Sequence, residues 1–350
     1  MRSIATLLLT FQCVAGCTDR SATTSTTAVP EAARPRTGIT IRVVDLLNVD
    51  IRDVPLLMAF DELAAHGYLI EKAYLGSGAL VTDTLARGDA DVAIVNNQTA
   101  WTALTKGADI RTIAEFTSPT YVLAVSPTIQ SCHDLGGRKV GVPTTSGLPG
   151  MFLPLYMHRH CPGTTPQMLI ILESSARNAA LMSGVVDAVI VPAEGLIKVQ
   201  RQSSAAFHAL MSFASEFPGV QMDGLHVRRD WAEQHRELVL DLLRAQLRAQ
   251  RLVTDSPDVL YQQAMKRLSL DADTAKAIGD AHLQMGIWDL NGGLTPGSVQ
   301  ATIDFLVGEK AAPAGMKATD VADFSYLDAV LREMGHRQPT PPRERSRPSP

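Results

Sequence analysis

The sequence predicts an α/β protein made of two similar, doubly wound sheets joined by a two-strand hinge. Three observations predict it. Strand and helix patterns alternate from about residue 39 onward, the signature of helical crossovers on a mostly parallel sheet. One helix–strand unit occurs twice: Leu85-Ala-Arg-Gly-Asp-Ala-Asp-Val-Ala-Ile-Val95 returns 96 residues later as Leu181-Met-Ser-Gly-Val-Val-Asp-Ala-Val-Ile-Val191. Two further apolar strands, Tyr121–Val125 and Leu225–Arg228, stand where the chain would pass between the copies and return.

The elements follow in order. Arg2, the apolar run Ile4 to Phe11 and the small residues Val14-Ala15-Gly16 before Cys17 read as a targeting segment. That motif resembles the lipobox of bacterial lipoproteins, which implies cleavage after residue 16 and lipidation of Cys17. Residues 17–38, rich in Ser, Thr, Ala and Pro, then read as the lipidated cysteine and a flexible stalk. Ile39–Val44 is a first strand. Pro55–His66 is a helix with Pro in its first turn, Gly67 beyond its end, and a stripe of Leu56, Phe60, Leu63 and Ala64. Tyr68–Leu75 is a strand, Ala79–Arg87 a helix closed by Gly88, and Val92–Asn96 a strand buried on both faces. Gln98–Lys106 is a helix closed by Gly107, and Arg111–Phe116 a strand. In both copies of the repeat a helix ends at Gly, an Asp stands at the strand mouth, and an apolar strand follows; a coincidence of two common elements is the competing account. Arg229 to Thr254 reads as one long amphipathic helix on Trp231, Leu238, Leu242, Ala245, Ala249 and Leu252.

The first lobe is therefore expected at 39–120 plus 226–335, the second at 121–225, and a disordered Pro- and Arg-rich tail at 336–350. Two crossing strands make a hinge, because few residues there absorb the rotation. At 350 residues, 45% hydrophobic and 19% charged, the chain can bury two cores. A formal charge of −4 and a pI near 6.1 give no electrostatic reason for a nucleic-acid partner. Cys13 leaves with the signal, so the mature body keeps Cys132 and Cys161, which topology places at the same sheet edge. Export favours a disulfide between them, against two buried thiols.

Five motifs carry a family resemblance: Leu85-x-x-Gly-x-Ala-Asp91, Asp134-Leu-Gly-Gly-Arg-Lys-Val-Gly-Val-Pro143, Met182-Ser-Gly-Val-Val-Asp187, Val227-Arg-Arg-Asp-Trp-Ala-Glu-Gln-His235 and Gly293-Leu-Thr-Pro-Gly-Ser-Val-Gln300. In this order they resemble the substrate-binding proteins of ABC importers, in the branch that handles nitrate, taurine, aliphatic sulfonates and thiamine pyrimidine precursors. The resemblance runs from about residue 39 to about 335. It implies a two-lobed periplasmic-binding-protein fold, a small-molecule ligand in the cleft, no cofactor, and a membrane permease with its ATPase as partners. The chain is expected to be a monomer outside the cytoplasm, tied to a membrane through its lipid.

In parallel α/β sheets, ligands sit beyond the carboxyl ends of the strands. Applied to both lobes, that rule selects Leu47, Asn48 and Asp50, then Ser77 and Gly78, Asn96 and Asn97, Thr145, Ser146 and Gly147, and Glu194. Ser77-Gly78 and Ser146-Gly147 read as helix N-termini able to bind an anion, but Ser, Asn and Asp are equally ordinary helix caps. The pattern departs from sulfonate binders: no Arg stands in a strand-end loop to clamp an anion, and Asp50 and Glu194 bring negative charge. If either faces the ligand, a neutral or amine-bearing solute fits better than a sulfonate.

An enzyme is the first rival, but the sequence holds no Gly-x-Ser-x-Gly elbow, His-Glu-x-x-His or Cys-x-x-Cys. His158-Arg-His160-Cys161 offers metal-ligand types, yet lies at a helix exit away from the expected cleft. The branch also touches a pyrimidine-precursor synthase, whose cysteine-rich signature is not matched here. A binding protein that reports to a membrane sensor, or an envelope scaffold, would share the fold. The expected mechanism is closure of the hinge around the ligand, with the closed form presented to the permease.

Overall fold

Parallel strands must be joined by crossovers, and this chain makes its crossovers with helices in two successive rounds. The computed structural model describes residues 38–46, 49–145, 147–217 and 219–338. The first round is β1 (Ile39–Asp45), α1 (Val54–Ala65), β2 (Tyr68–Tyr74), α2 (Gly78–Arg87), β3 (Val92–Asn96), α3 (Asn97–Thr105) and β4 (Ile110–Thr117). The second is β5 (Tyr121–Val125), β6 (Lys139–Val142), α4 (Gly147–His160), β7 (Gln167–Ile170), α5 (Ser174–Met182), β8 (Ala188–Pro192), α6 (Ala193–Gln202), β9 (His208–Ser212) and α7 (Phe213–Glu216). Then come β10 (Asp223–Arg228), α8 (Arg229–Gln234), α9 (Arg236–Asp255), α10 (Pro257–Leu268), α11 (Ala272–Met285), α12 (Pro296–Gly308), α13 (Ala318–Val321) and α14 (Ser325–Met334).

The strands form two five-stranded sheets, β2-β1-β3-β10-β4 and β7-β6-β8-β5-β9. In each, the first three strands are parallel, and the fourth runs antiparallel to both neighbours. The two orders are the same, and the repeated motif makes the same joint in both. Asp91 accepts the Arg42 amide at 2.8 Å, while its own amide donates to the Arg42 carbonyl at 2.8 Å. Asp187 accepts the Lys139 amide at 3.0 Å, and its amide donates to the Lys139 carbonyl at 2.8 Å. An Asp at the strand mouth thus ties the backbone of the neighbouring strand, which sets register where one face is buried. Gly88 closes α2 at φ 80°, and a Cβ there would overlap the Arg228 guanidinium.

The strands expected to cross between lobes are the antiparallel members: β5 between β8 and β9, β10 between β3 and β4. The crossings themselves are the short segments after Thr117 and before Asp223. The first is held on both sides, with Ser118 N–H donating to the Ile287 carbonyl at 2.8 Å and Ala193 N–H to the Thr120 carbonyl at 2.9 Å.

α1 buries Leu56, Phe60 and Leu63, but its stripe runs through Ala59 and leaves Ala64 exposed. Leu56, Ala59, Phe60 and Leu63 share one face at the 3.6-residue period, and Ala64 stands at the margin of that face. The long helix expected over Arg229 to Thr254 is broken at His235, whose ring stacks on Trp231 at 4.9 Å and whose Nδ1 lies 2.9 Å from the Trp231 carbonyl. A side chain competing for a helix carbonyl is a known cause of such breaks. α9 is buried on more than one face: Leu238, Val239, Leu242, Leu243, Ala245 and Leu247 are all in the core, whereas Leu252 is 44% exposed. Its buried polar residues reach strand-end and loop carbonyls, Gln246 to Glu115 at 3.3 Å and Arg251 to Leu290 at 2.9 Å. Cys132, in a 3-10 turn before β6, is bonded to Cys161 at the end of α4, with the Cα atoms 6.0 Å apart. No helix among the described residues is long and apolar enough to cross a membrane. Arg337, within the expected tail, pairs with Asp255 at 3.0 Å.

Candidate functional site

An antiparallel strand begins at the sheet edge where its parallel neighbours end. Asp223, the first residue of β10, is therefore paired with Asn96 at the end of β3 and Thr117 at the end of β4. In the second sheet Tyr121, first in β5, pairs with Pro192 at the end of β8. These two edges carry the site.

The loop after β1 supplies its most connected group. Asp50 caps the 3-10 turn Ile51–Asp53, its Oδ1 accepting the Arg52 N–H at 2.8 Å while Asp53 Oδ2 accepts the Asp50 N–H at 2.7 Å. The turn fixes Arg52, whose Nη1 donates to Asp223 at 3.0 Å and whose Nε lies 3.3 Å from Asp50. The indole N–H of Trp288 donates to the Arg52 carbonyl at 3.0 Å and holds the turn from behind. From the second sheet, Glu194 stands in the first turn of α6, with Oε2 3.4 Å from Nε2 of the fully buried His282 on α11. Lys72 lies 3.4 Å from Asp45 at the mouth of β1. Asp50 and Glu194 face one cavity of about 400 Å³, which Lys198 and Arg267 also line.

Burial governs the charge states. It raises the pKa of Asp50 against the pull of Arg52, and that of Asp223 with help from Asp45. Asp53 is pushed up to about 7 by burial and then by the Asp50 carboxylate. Burial also opposes ionisation of Glu194, but the hydrogen bond and charge of His282 outweigh it and hold this carboxyl below its usual value. Tyr121 is pushed up to about 12 by burial and then by Asp223, so its phenol stays protonated. Arg52 is raised well above its ordinary value: burial disfavours its charge, but Asp50, Asp53 and Asp223 prevail.

Of the residues selected from the sequence, Asp50 and Glu194 meet at this cavity. Asn96 instead caps α3, accepting the Thr99 N–H at 3.1 Å. Asn97 is fully buried against Gly224, where a Cβ would overlap its amide oxygen. Ser77 is exposed and makes no side-chain cap bond, and a Cβ on Gly78 would touch Thr99 at 3.0 Å. Thr145 is exposed before α4, which begins at Gly147. Leu47, Asn48, Ser146 and Cys17 lie outside the described residues. His160, in the segment with metal-ligand types, lies 2.7 Å from Glu216, and among the described residues no group of three His, Cys, Asp or Glu is placed to hold a metal ion.

Arg52, Asp223, Tyr121 and His282 were not singled out from the sequence. The expectation that no Arg stands in a strand-end loop is corrected by Arg52, which the 3-10 turn keeps inside the β1–α1 connection. Asp223 was hidden because the return strand starts two residues before its apolar run, at the edge that an antiparallel strand must share. His282 comes from a helix remote in sequence, and no local pattern marks it.

Two α/β lobes of one strand order, crossed twice and facing each other across a polar cleft, define a periplasmic-binding-protein architecture. The chain belongs to the family described as NMT1/THI5 like, whose model matches residues 73–259, just over half of its length. It is 23% identical over 273 residues to the taurine-binding periplasmic protein of Escherichia coli (strain K12), covering 77% of this chain and 79% of that one. Among solved structures it resembles the zinc-bound ligand-binding component of an ABC-type import system from Staphylococcus aureus, with a TM-score of 0.68 and 14% identity over 84% of this chain and 100% of that one. The periplasmic aliphatic sulphonate binding protein SsuA from Escherichia coli matches with a TM-score of 0.64 and 16% identity, over 82% of this chain and 98% of that one. The periplasmic nitrate-binding protein NrtA from Synechocystis PCC 6803 matches with a TM-score of 0.63 and 12% identity, over 86% and 90% respectively. At these identities the structural likeness is one of fold.

Proposed function

We propose that this chain is an extracytoplasmic, lipid-anchored solute-binding protein that captures a small molecule between its lobes and hands it to an ABC permease, with no covalent chemistry of its own. The observation that carries this reading is the cavity of about 400 Å³ shared by Asp50 of the first lobe and Glu194 of the second. A volume of that order suits a small ligand, and a wall drawn from both lobes makes ligand binding and closure one event. Membership of a family with periplasmic binding proteins among its relatives supports it, as does Cys17 behind its apolar run. Closure would turn on the two short crossings after Thr117 and before Asp223. Anchoring rests on lipid at Cys17, where more than one acyl chain is needed for a stable hold.

The test is a thermal-shift screen of the purified protein against nitrate, taurine, alkanesulfonates, aminopyrimidines, polyamines and aromatic acids. A ligand at a hundred times its Kd adds about 2.7 kcal/mol to the folded state. A clear rise in Tm with any one solute is the expected result. A folded, empty protein that responds to none of these classes would overturn the reading in favour of an envelope scaffold.

A further inference from the structure

Asp50, Glu194, Lys198 and Arg267 all line the cavity, and how each is engaged bears on what it can hold if the solute-binding reading is correct. We propose that the solute is a cation carrying an ammonium or amidinium group, bound by Asp50 from one lobe and Glu194 from the other.

Five carboxylates converge on this part of the cleft: Asp45, Asp50, Asp53, Asp223 and Glu194. Asp45 and Asp53 are almost fully buried, at 2% and 1% exposure. The cations set among them are already engaged. Arg52 lies between Asp50 at 3.3 Å and Asp223 at 3.0 Å, and its carbonyl is fixed by Trp288. Lys72 stays with Asp45 at 3.4 Å. Arg177, 2% exposed in the second lobe, directs its guanidinium to the carbonyls of Ile190, Ile171 and Leu172 at 2.8, 2.7 and 2.6 Å. On the cavity wall Arg267 is held by Asp61 and Gln263, and Lys198 is exposed. A sulfonate or nitrate placed between Asp50 and Glu194 would face two carboxylates and would have to take Arg52 from Asp50 and Asp223.

One buried polar atom beside the cavity carboxylates points the same way. Oδ1 of Asp53 has no hydrogen-bond partner among the described residues, while its other oxygen holds the Asp50 amide. Asp50 and Asp53 repel each other across one tight turn, and each has its ionisation suppressed by burial. A cation between Asp50 and Glu194 relieves that repulsion and joins the lobes by charge-assisted hydrogen bonds, which are shorter and stronger than neutral ones. The same cation bridges carboxylates that would otherwise oppose closure, so binding it favours the closed form over the open one.

The decisive measurement is isothermal titration calorimetry of the full chain with 1,4-diaminobutane, agmatine and benzamidine on one side, and taurine, methanesulfonate and nitrate on the other. At least one cation is expected to bind more tightly than every sulfonate and nitrate, with affinity that falls as NaCl is raised. Glu194→Gln should weaken that cation at least about tenfold, as loss of one partner of a buried charge pair does. Asp50→Asn gives the same reading should the first variant fail to fold. An anion or taurine that binds better than all three cations overturns the charge assignment and leaves the solute-binding reading standing. Cation binding that is unchanged in the folded variants overturns the placement at Asp50 and Glu194. Silence from all six probes overturns the charge assignment, and silence across the wider screen as well removes the binding reading with it.

Discussion

Arg52 is the positive centre of the cleft, and replacing it with Met tests how far the surrounding carboxylates depend on it. Its side chain is 12% exposed, with the guanidinium 3.0 Å from Asp223 and 3.3 Å from Asp50. Removing one member of a buried ion pair strands the other and costs about 3–5 kcal/mol. The cost should depend on pH, and its sign follows from the carboxylates. Burial already holds the pKa of Asp50 and Asp223 above ordinary values against the pull of Arg52, and losing Arg52 raises both further. An acid with a raised pKa binds its proton in the folded state after the unfolded chain has released it. Folding is then fully supported below the unfolded value of about 3.9 and weakens as pH rises, by up to about 1.4 kcal/mol per unit for each carboxylate. Near pH 4 only the packing of the arginine stem, with its guanidinium 5.8 Å from the Phe116 ring, remains to be lost. Urea unfolding of both proteins at about pH 4.5 and 7.5 measures this. The expected result is a large penalty at the higher pH that shrinks in acid. An equal penalty at the two pH values, or one below about 1 kcal/mol at pH 7.5, would refute the claim that Arg52 compensates buried charge.

Glu115, on the edge strand β4, is held in its neutral form: burial and then Asp289 push it up to about 8, above the ordinary 4.5. Its contribution to stability is therefore lost as pH rises from 4.5 towards 8. Glu115→Gln should flatten the pH profile and make the protein more stable by at least about 1 kcal/mol at pH 8, as read from urea midpoints; a less stable variant would show that the ionised form is the native one. Reduction of the Cys132–Cys161 bond, which closes a separation of 29 residues, should cost about 3–4 kcal/mol and lower Tm, while a Cys132→Ser/Cys161→Ser double variant should lose its response to reductant.

Much of the fold is legible because it rests on local rules. Glycines at helix exits, Pro in a first turn and apolar runs of strand length place β1 to β5 to within a residue or two. The internal repeat is legible because Asp91 and Asp187 do the same work, each binding the backbone of the adjacent strand. The site is legible only in part. Strand-end reasoning finds Asp50 and Glu194, since each follows its strand closely in sequence. The same rule selects Asn96 and Asn97, but here the cap of α3 and the space beside Gly224 take up the two side chains. His282 and Trp288 reach the cleft from 88 and 236 residues away from the groups they contact, a separation that no window along the chain can register. The break at His235 escaped for a related reason: apolar spacing continues through it, and only the ring's contact with Trp231 reveals the interruption.

The place of β10 has a consequence for how the molecule is made. The second sheet is drawn from one uninterrupted run, β5 through β9, and needs nothing that comes later. The first sheet is different. Its β3 and β4 are not neighbours but are separated by β10, which is synthesised after the whole of the second sheet. Until Arg228 has emerged, β4 has no partner in that sheet, and the edges of β3 and β4 stand open with unpaired amides and carbonyls. The longest wait during assembly thus falls on the half of the protein that begins first. A chain stopped short of β10 would carry a sheet able to close and another that cannot. Vulnerability to proteolysis and to wrong strand pairing during biogenesis is therefore concentrated between β1 and β4.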